Sequence, residues 1–354
     1  MSRLVERRRA QPCARQSPTM PRSLRALVAG ASLVFSSASE VTDARPRVRV
    51  VAAGACDVRD DGNASASVAL LLWHGMGDAC DAEGVVTVLE SMTSRIGAER
   101  ACARSIGFGD TTKADRLASY AGDARAQTAA VCDFLRGDAV VRRAGGFHAI
   151  GFSQGGQFMR AVVQSCGKEL GAKTLVTLGG QHAGVDSIPG CGGDVVSVAC
   201  RAMNAAASAA SASDWARHRV IQAQYFRDTS THARYQRYLE TNAFLPRINN
   251  EGQANEDASN REGLTSLERF VMFMFEDDDM VNPKESSWFG SRVIGGANHS
   301  QIVPYYQNEG FYSTLGLDAL DREGKIETRL IPGARHMQFE VDWFVREIVE
   351  KYYM

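Results

Sequence analysis

Ser153 lies in Gly151-Phe152-Ser153-Gln154-Gly155, a Gly-x-Ser-x-Gly pentapeptide. An apolar run, Phe147–Ile150, precedes it, and an amphipathic segment, Gly156–Val163, follows. Strand, tight turn with serine, then helix is the nucleophile elbow. Its glycines are needed where a strained turn brings backbones together. The serine then stands at a helix N-terminus, where backbone N–H groups stabilise an anion. A serine hydroxyl is a poor nucleophile at neutral pH and needs a base. In this unit the order along the chain is Ser, then Asp or Glu, then His. Glu276-Asp277-Asp278-Asp279 follows the apolar run Val271–Phe275. His336, the last histidine, follows Lys325–Ile331 in Pro332-Gly333-Ala334-Arg335-His336. Alone, such an acidic run is a solvated turn and such a histidine an exposed one. Together with the elbow, and in this order, they read as an acyl-transfer triad. Spacing does not choose among the four carboxylates.

An oxyanion hole needs two N–H donors. One is the residue after the nucleophile, Gln154; the other comes from a loop after an early strand. His74-Gly75-Met76-Gly77 follows Val68–Trp73 and offers the Met76 N–H. The competing reading, a dinucleotide loop, requires a third glycine where Cys80 stands. The acidic run lacks the spaced ligands and glycine of a calcium loop. The histidines are scattered and no Cys-x-x-Cys occurs, so no metal is expected. No cofactor is expected either.

These residues need a scaffold. Val68–Trp73 is a continuous apolar run, suited to a strand buried on both faces. Helical spacing covers Val85–Ile96 and Ala121–Leu135, with a strand between them at Ala101–Phe108. Further strands are expected at Phe147–Gly151, Lys173–Leu178, Arg269–Phe275 and Lys325–Ile331, and a closing helix at Val341–Tyr352. Alternating strands and helices imply an α/β fold with a mostly parallel sheet and helices on both faces. The alternation breaks over about 186–262, which reads as a lid-like insertion above the sheet.

The 354-residue chain has a net charge of −1 and no long single-sign block, so nothing suggests a nucleic-acid partner. Arg7, Arg8, Arg9, Arg22 and Arg25 lead into a short apolar stretch, Leu24–Phe35, then Ser36-Ser37-Ala38. Residues 1–38 therefore read as a secretory signal. Residues 39–66 read as a polar stretch before the catalytic domain, 67–354. Removal of Cys13 leaves seven cysteines, an odd number, so at least one thiol is left over or pairs elsewhere. Cys191 and Cys200 are close enough to close a small loop, and sequons stand at Asn63 and Asn298.

Three blocks carry a family resemblance. They are Leu72-Trp73-His74-Gly75-Met76-Gly77-Asp78, Gly151–Phe158 and Gly179-Gly180-Gln181-His182. With Glu276–Pro283, Trp288-Phe289-Gly290 and Trp343-Phe344, they resemble the palmitoyl-protein thioesterase family from about Val68 to the C-terminus. The resemblance implies a lysosomal α/β hydrolase that removes long fatty acyl groups from S-acylated cysteines of proteins or peptides. It implies Ser153 as nucleophile, His336 as base and Asp278 as the carboxylate. Met76 and Gln154 take the oxyanion role, and Gln181 lies beside the acyl site. It also implies the disulfides Cys132–Cys166 and Cys191–Cys200. The chain departs from the family pattern at Asp81, where a second cysteine is usual, and at Asp277, where an asparagine is glycosylated. Asn249–Asn260 is longer and more polar, and Cys56 and Cys102 fall outside the pattern.

The resulting expectation is two-step acyl transfer in the secretory pathway, in a lysosome or vacuole or outside the cell. A palmitoyl chain offers about 0.8 kcal/mol per buried methylene, so an apolar groove under the insertion is expected. Trp215, Phe244, Leu245 and Ile188 are candidates to line it; the alternative is that they form the insertion's own core. The imidazole must be uncharged to accept a proton, so activity is expected to fall in acid. Other readings are a secreted lipase or carboxylester hydrolase, and a non-catalytic lipid-binding protein of this fold.

Overall fold

The computed structural model describes residues 46–57, 66–187, 213–295 and 301–354. Seven strands form the main sheet: β1 (Val48–Gly54), β2 (Val68–Trp73), β3 (Ala101–Phe108), β4 (Phe147–Phe152), β5 (Ala172–Leu178), β6 (Arg269–Phe275) and β7 (Ile326–Ile331). Their spatial order is β1-β3-β2-β4-β5-β6-β7. All neighbours are parallel except β1, which runs antiparallel to β3. The apolar runs are continuous because both faces are covered. In β2, Leu71 and Trp73 enter the core on one face, while Leu70 and Leu72 enter the core on the other.

On one face lies α1 (Glu83–Ile96), with Val85, Val88, Leu89 and Met92 turned inward at helical spacing. The closing helix (Val341–Phe344, Val345–Val349, Glu350–Tyr352) packs beside it through Phe344, Ile348 and Val349. On the other face lie α3 (Ala124–Gly137) and α4 (Gln154–Val162). The helical region expected at Ala121–Leu135 is preceded by a separate helix, α2 (Thr112–Ala118). Side-chain caps set these starts: Thr111 accepts from Ala114 N–H, and Asp123 from Arg125 and Ala126 N–H.

The expected insertion is helical where it is described: α5 (Asp214–Arg219), α6 (His232–Thr241), a turn at Leu245–Ile248 and α7 (Ala258–Thr265). It adds no strand to the main sheet among the described residues. Buried Arg160 of α4 fastens it. Its guanidinium donates to Ile248 O (2.9 Å), Asn249 Oδ1 (2.8 Å) and His182 O (3.2 Å), and lies over the Phe289 ring. Burial with no carboxylate beside it lowers the Arg160 pKa to about 9. In the polar stretch Asn249–Asn260, Asn249, Asn250, Glu251, Asn255 and Asn260 are buried in a hydrogen-bond network, while the residues between them are exposed. Asn250 donates to Asp257 O and Thr314 O, and Asn260 donates to Arg247 O.

One boundary needs correction. Residues 39–66 were expected to precede the domain, yet β1 lies within them and pairs from Val48↔Phe108 to Gly54↔Cys102. An edge strand is covered less fully, and β1 is mostly half-buried with Arg49 as its second residue. Its apolar signal is correspondingly weak. Asp81 helps hold it: the carboxylate accepts from Arg49 Nη2 (2.5 Å) and Thr112 Oγ1 (2.6 Å). Those bonds hold the Asp81 carboxyl below its ordinary pKa.

Two disulfides are present among the described residues. Cys132–Cys166 links α3 to the extension of α4, and Cys56–Cys102 links the end of β1 to β3. Cys191 and Cys200 lie outside the described residues, as do both sequons and Ile188. No helix among the described residues is long and apolar enough to cross a membrane. A disulfide of this kind contributes about 2–4 kcal/mol. The Cys56→Ser/Cys102→Ser pair is expected to lose that much in denaturant titration while keeping its activity. An unchanged midpoint would contradict this.

Candidate active site

The turn after β4 is set by close backbone contact. Ser153 has φ 51° and ψ −121°, a conformation that L-residues adopt only under constraint. Its N–H is held by Leu178 O at 2.8 Å. A Cβ at Gly151 would lie 2.3 Å from Gly156 Cα, and one at Gly155 would lie 2.1 Å from Trp73 O. Glycine is therefore required at both places, and α4 begins directly under the hydroxyl.

Three side chains converge there. His336 Nε2 lies 2.8 Å from Ser153 Oγ, and its Nδ1 lies 2.7 Å from Asp278 Oδ2. With Nδ1 protonated toward Asp278, Nε2 is free to accept the serine proton. The Asp278 side chain is fully buried, and the His336 ring is nearly so. Asp278 Oδ1 accepts from Met280 and Val281 N–H, each at 2.9 Å. The acidic run is thus resolved by geometry. Asp277 is exposed, and Glu276 instead accepts from Gly333 N–H at 2.8 Å. Gly179, with φ +61°, leaves room for the imidazole: a Cβ there would meet His336 Cε1 at 2.9 Å.

Gln181 is buried and donates from Nε2 to Ser153 Oγ at 3.1 Å, so it touches the nucleophile directly. The loop His74–Gly77 passes over the same point. A Cβ at Gly75 would lie 3.3 Å from Ser153 Cβ. Gln154 opens α4, where its N–H has no carbonyl one turn back to bond. Gly75, the neighbour of Met76, and Gln154 therefore flank Ser153 on two separate segments.

Buried Asp115 holds the Met76 loop from below. It accepts from Cys80 N–H and Phe108 N–H, each at 2.8 Å, and lies 3.3 Å from His74 Nε2. Burial alone would raise its pKa; the His74 contact and the two N–H donors outweigh that, and the net shift is downward. Cys80, the free cysteine among the described residues, is buried on this carboxylate. Burial, then the negative charge of Asp115, pushes its thiol up to about 12.

The acyl-groove candidates divide. Phe244 and Leu245 are wholly buried in the core beneath the insertion, Phe244 edge-on to Phe158. The sequence left open that they form the insertion's own core; they pack instead into the main core, Phe244 against α4. Trp215 stands at the surface, 37% exposed. No group of His, Cys, Asp and Glu suited to a metal ion occurs among the described residues. Sequence reasoning missed Ser119, Gln222 and Tyr225, which surround Gln154. No motif marks them.

Residues 69–336 match the family model described as palmitoyl protein thioesterase. The chain belongs to that family. Palmitoyl-protein thioesterase 1 of Caenorhabditis elegans is 31% identical over 297 residues, covering 82% of this chain and 94% of that one. A Schizosaccharomyces pombe protein, palmitoyl-protein thioesterase-dolichyl pyrophosphate phosphatase fusion 1, is 34% identical over 276 residues. That match covers 78% of this chain but 42% of the fusion's length. Lysosomal thioesterase PPT2-B of Xenopus laevis is 32% identical over 114 residues, 32% of this chain and 37% of that one. The family match contains the serine turn, the acidic run and, at its last residue, His336.

Two measurements probe this architecture. Gly155→Ala drives a methyl into the Trp73 carbonyl, and overpacking of this kind costs about 1–3 kcal/mol or more. A lower melting temperature and activity reduced at least about tenfold are expected, because the serine turn must shift. Gly84→Ala, within α1 and with nothing within 4 Å, is the control and is expected to keep activity and not to lower the melting temperature. In the folded protein at neutral pH, an aqueous thiol reagent is expected to leave Cys80 unmodified, because the thiolate is the reactive form. Peptide mapping after denaturation should find it labelled. Stoichiometric native labelling of Cys80 would contradict the burial described.

Proposed function

We propose that this protein hydrolyses long-chain fatty acyl thioesters, of the palmitoyl type, on S-acylated cysteines of proteins or peptides. The observation that carries the reading is the Ser153–His336–Asp278 relay, with both hydrogen bonds at 2.7–2.8 Å, inside the matched family segment. Ser153 Oγ attacks the thioester carbonyl carbon as His336 Nε2 takes its proton. The Met76 and Gln154 N–H groups hold the oxyanion. The carbon–sulfur bond breaks, and the cysteine sulfur leaves with the proton that His336 had accepted, so the imidazole is neutral again. A thiol ionises near pKa ~8.5, so it departs with little acid assistance. Water then gives a proton to His336 and attacks the acyl-serine carbonyl. The acyl–oxygen bond breaks, the fatty acid leaves, and Ser153 regains its proton.

Asp278 stabilises the imidazolium formed in each step and fixes the ring's tautomer. Gln181, donating to Ser153 Oγ, lies beside the carbonyl to be attacked. Of the lining candidates among the described residues, Trp215 alone is exposed, and it is the one assigned here to the acyl chain. The disulfides support folding in an oxidising compartment. With the lysosomal thioesterase among the relatives, they support a place in the secretory pathway and its lysosome or vacuole.

Wild type is expected to hydrolyse a palmitoyl-cysteinyl peptide faster than the matching oxygen ester or a triglyceride. Ser153→Ala is expected to lose at least about 10³-fold in kcat, and Asp278→Asn about 10³–10⁴-fold. A fluorophosphonate probe should label wild type at Ser153 alone. Faster turnover of triglyceride would favour a lipase. Failure to label or to turn over any acyl ester would leave only a lipid-binding role.

A further inference from the structure

The two oxyanion donors belong to segments far apart in sequence, the loop after β2 and the start of α4. Their separation must be fixed to a few tenths of an ångström for both to meet one oxygen. Ser119, the buried residue that ends α2, reaches both segments. Its Oγ accepts from Gly77 N–H at 2.8 Å, the residue next to Met76. The same hydroxyl donates to Arg116 O at 2.7 Å. Its carbonyl accepts from Gln154 Nε2 at 3.1 Å and from Gln222 Nε2 at 3.0 Å.

The Gln154 side chain is then fully engaged. Its Oε1 accepts from Tyr225 O–H at 3.1 Å and from Gln222 Nε2 at 3.3 Å. Gln222 and Tyr225 come from the insertion, so the insertion is tied to the donor at the head of α4. Burial raises the Tyr225 pKa strongly, which keeps the phenol a donor. Tyr120, next to Ser119, closes over the loop from the same side. A Cβ at Gly77, whose φ is +78°, would meet its hydroxyl at 2.4 Å.

We propose that Ser119 is a positioning residue of the oxyanion hole, setting the distance between the Met76 and Gln154 N–H groups without touching substrate. Gln222 is the insertion's contribution to the same brace. The inference rests on the roles proposed above for Met76 and Gln154. A hydroxyl that merely ended α2 would need only the bond to Arg116 O. The bond from Gly77 N–H is the one that such a role leaves unexplained.

The test uses Ser119→Ala and Gln222→Ala in the full chain. A palmitoyl trifluoromethyl ketone forms a tetrahedral adduct with Ser153 and uses the oxyanion hole; palmitate occupies the acyl site without such an adduct. Loss of a whole oxyanion donor costs about 10²–10³-fold, so a misplaced pair in Ser119→Ala should cost roughly tenfold to a hundredfold in kcat. KM and palmitate inhibition should stay within about twofold, while ketone affinity falls in step with kcat/KM. Gln222→Ala should show the same split at a few-fold, and it carries the test if Ser119→Ala does not fold. Unchanged ketone affinity, or equal weakening of ketone and palmitate, would overturn the proposal. Absence of thioester hydrolysis by wild type would instead overturn the function proposed above, which keeps the two failures distinct.

Discussion

The contact between Gly155 and the Trp73 carbonyl is the constraint from which the site is built. It allows α4 to start hard against the end of β2, so the nucleophile turn and the oxyanion loop come from adjacent strands. A side chain at Gly151 or Gly155 would force the two apart. Ser153 could not then keep its left-handed backbone, which is held by neighbours rather than by its own preference. The sheet supplies the rest of the placement. β4, β5, β6 and β7 are consecutive in space. The loops after their C-terminal ends bring in Ser153, Gln181, Asp278 and His336 in turn. Four separate chain segments converge because parallel strands all end on one edge.

Burial gives these groups their character. Asp278 is fully covered, yet two backbone N–H groups and the His336 ring share its charge. A buried carboxylate without such donors would take up a proton and lose its hold on the imidazole. Asp115 plays the parallel part under the other wall of the site, where two N–H groups and His74 outweigh its desolvation. Arg160 shows the opposite balance: carbonyls and amides surround it, and its affinity for a proton falls. Each fastens a different wall: Asp278 the base, Asp115 the oxyanion loop, Arg160 the insertion.

The long apolar runs of β2 and β6 could be read residue for residue because strands covered on both faces leave few polar positions. β1 could not, since an edge strand is covered less and carries Arg49. Ser153 and His336 were legible because motif and order define them. Asp278 was legible from the residues only as one of four carboxylates. Spacing along a loop does not say which one turns inward, and the family resemblance supplied the choice. Among the lining candidates, aromatic and apolar type alone could not separate core packing from a groove; Phe244 and Leu245 are core. Ser119 was invisible for a different reason. Its role depends on a carbonyl and a hydroxyl reaching two segments that sequence does not place together.

The chemistry of a thioester explains why bracing of this kind matters. An amine or alkoxide leaving group needs a well-placed acid, which puts the demand on the histidine. A thiolate leaves readily, so the harder requirement is to hold the carbonyl oxygen as negative charge gathers on it. In the proposed mechanism, water then attacks an ordinary oxygen ester on Ser153, and the same two donors serve again. Both steps therefore depend on the distance between the head of α4 and the loop after β2. That distance is fixed below by Asp115, between by the Gly155–Trp73 contact, and above by the hydrogen bonds of Ser119 and Gln222. Through Gln222 and Tyr225 the insertion is joined by hydrogen bonds to the Gln154 side chain at the head of α4. Seating of the insertion and placement of the first turn of α4 are thereby coupled through the same hydrogen bonds.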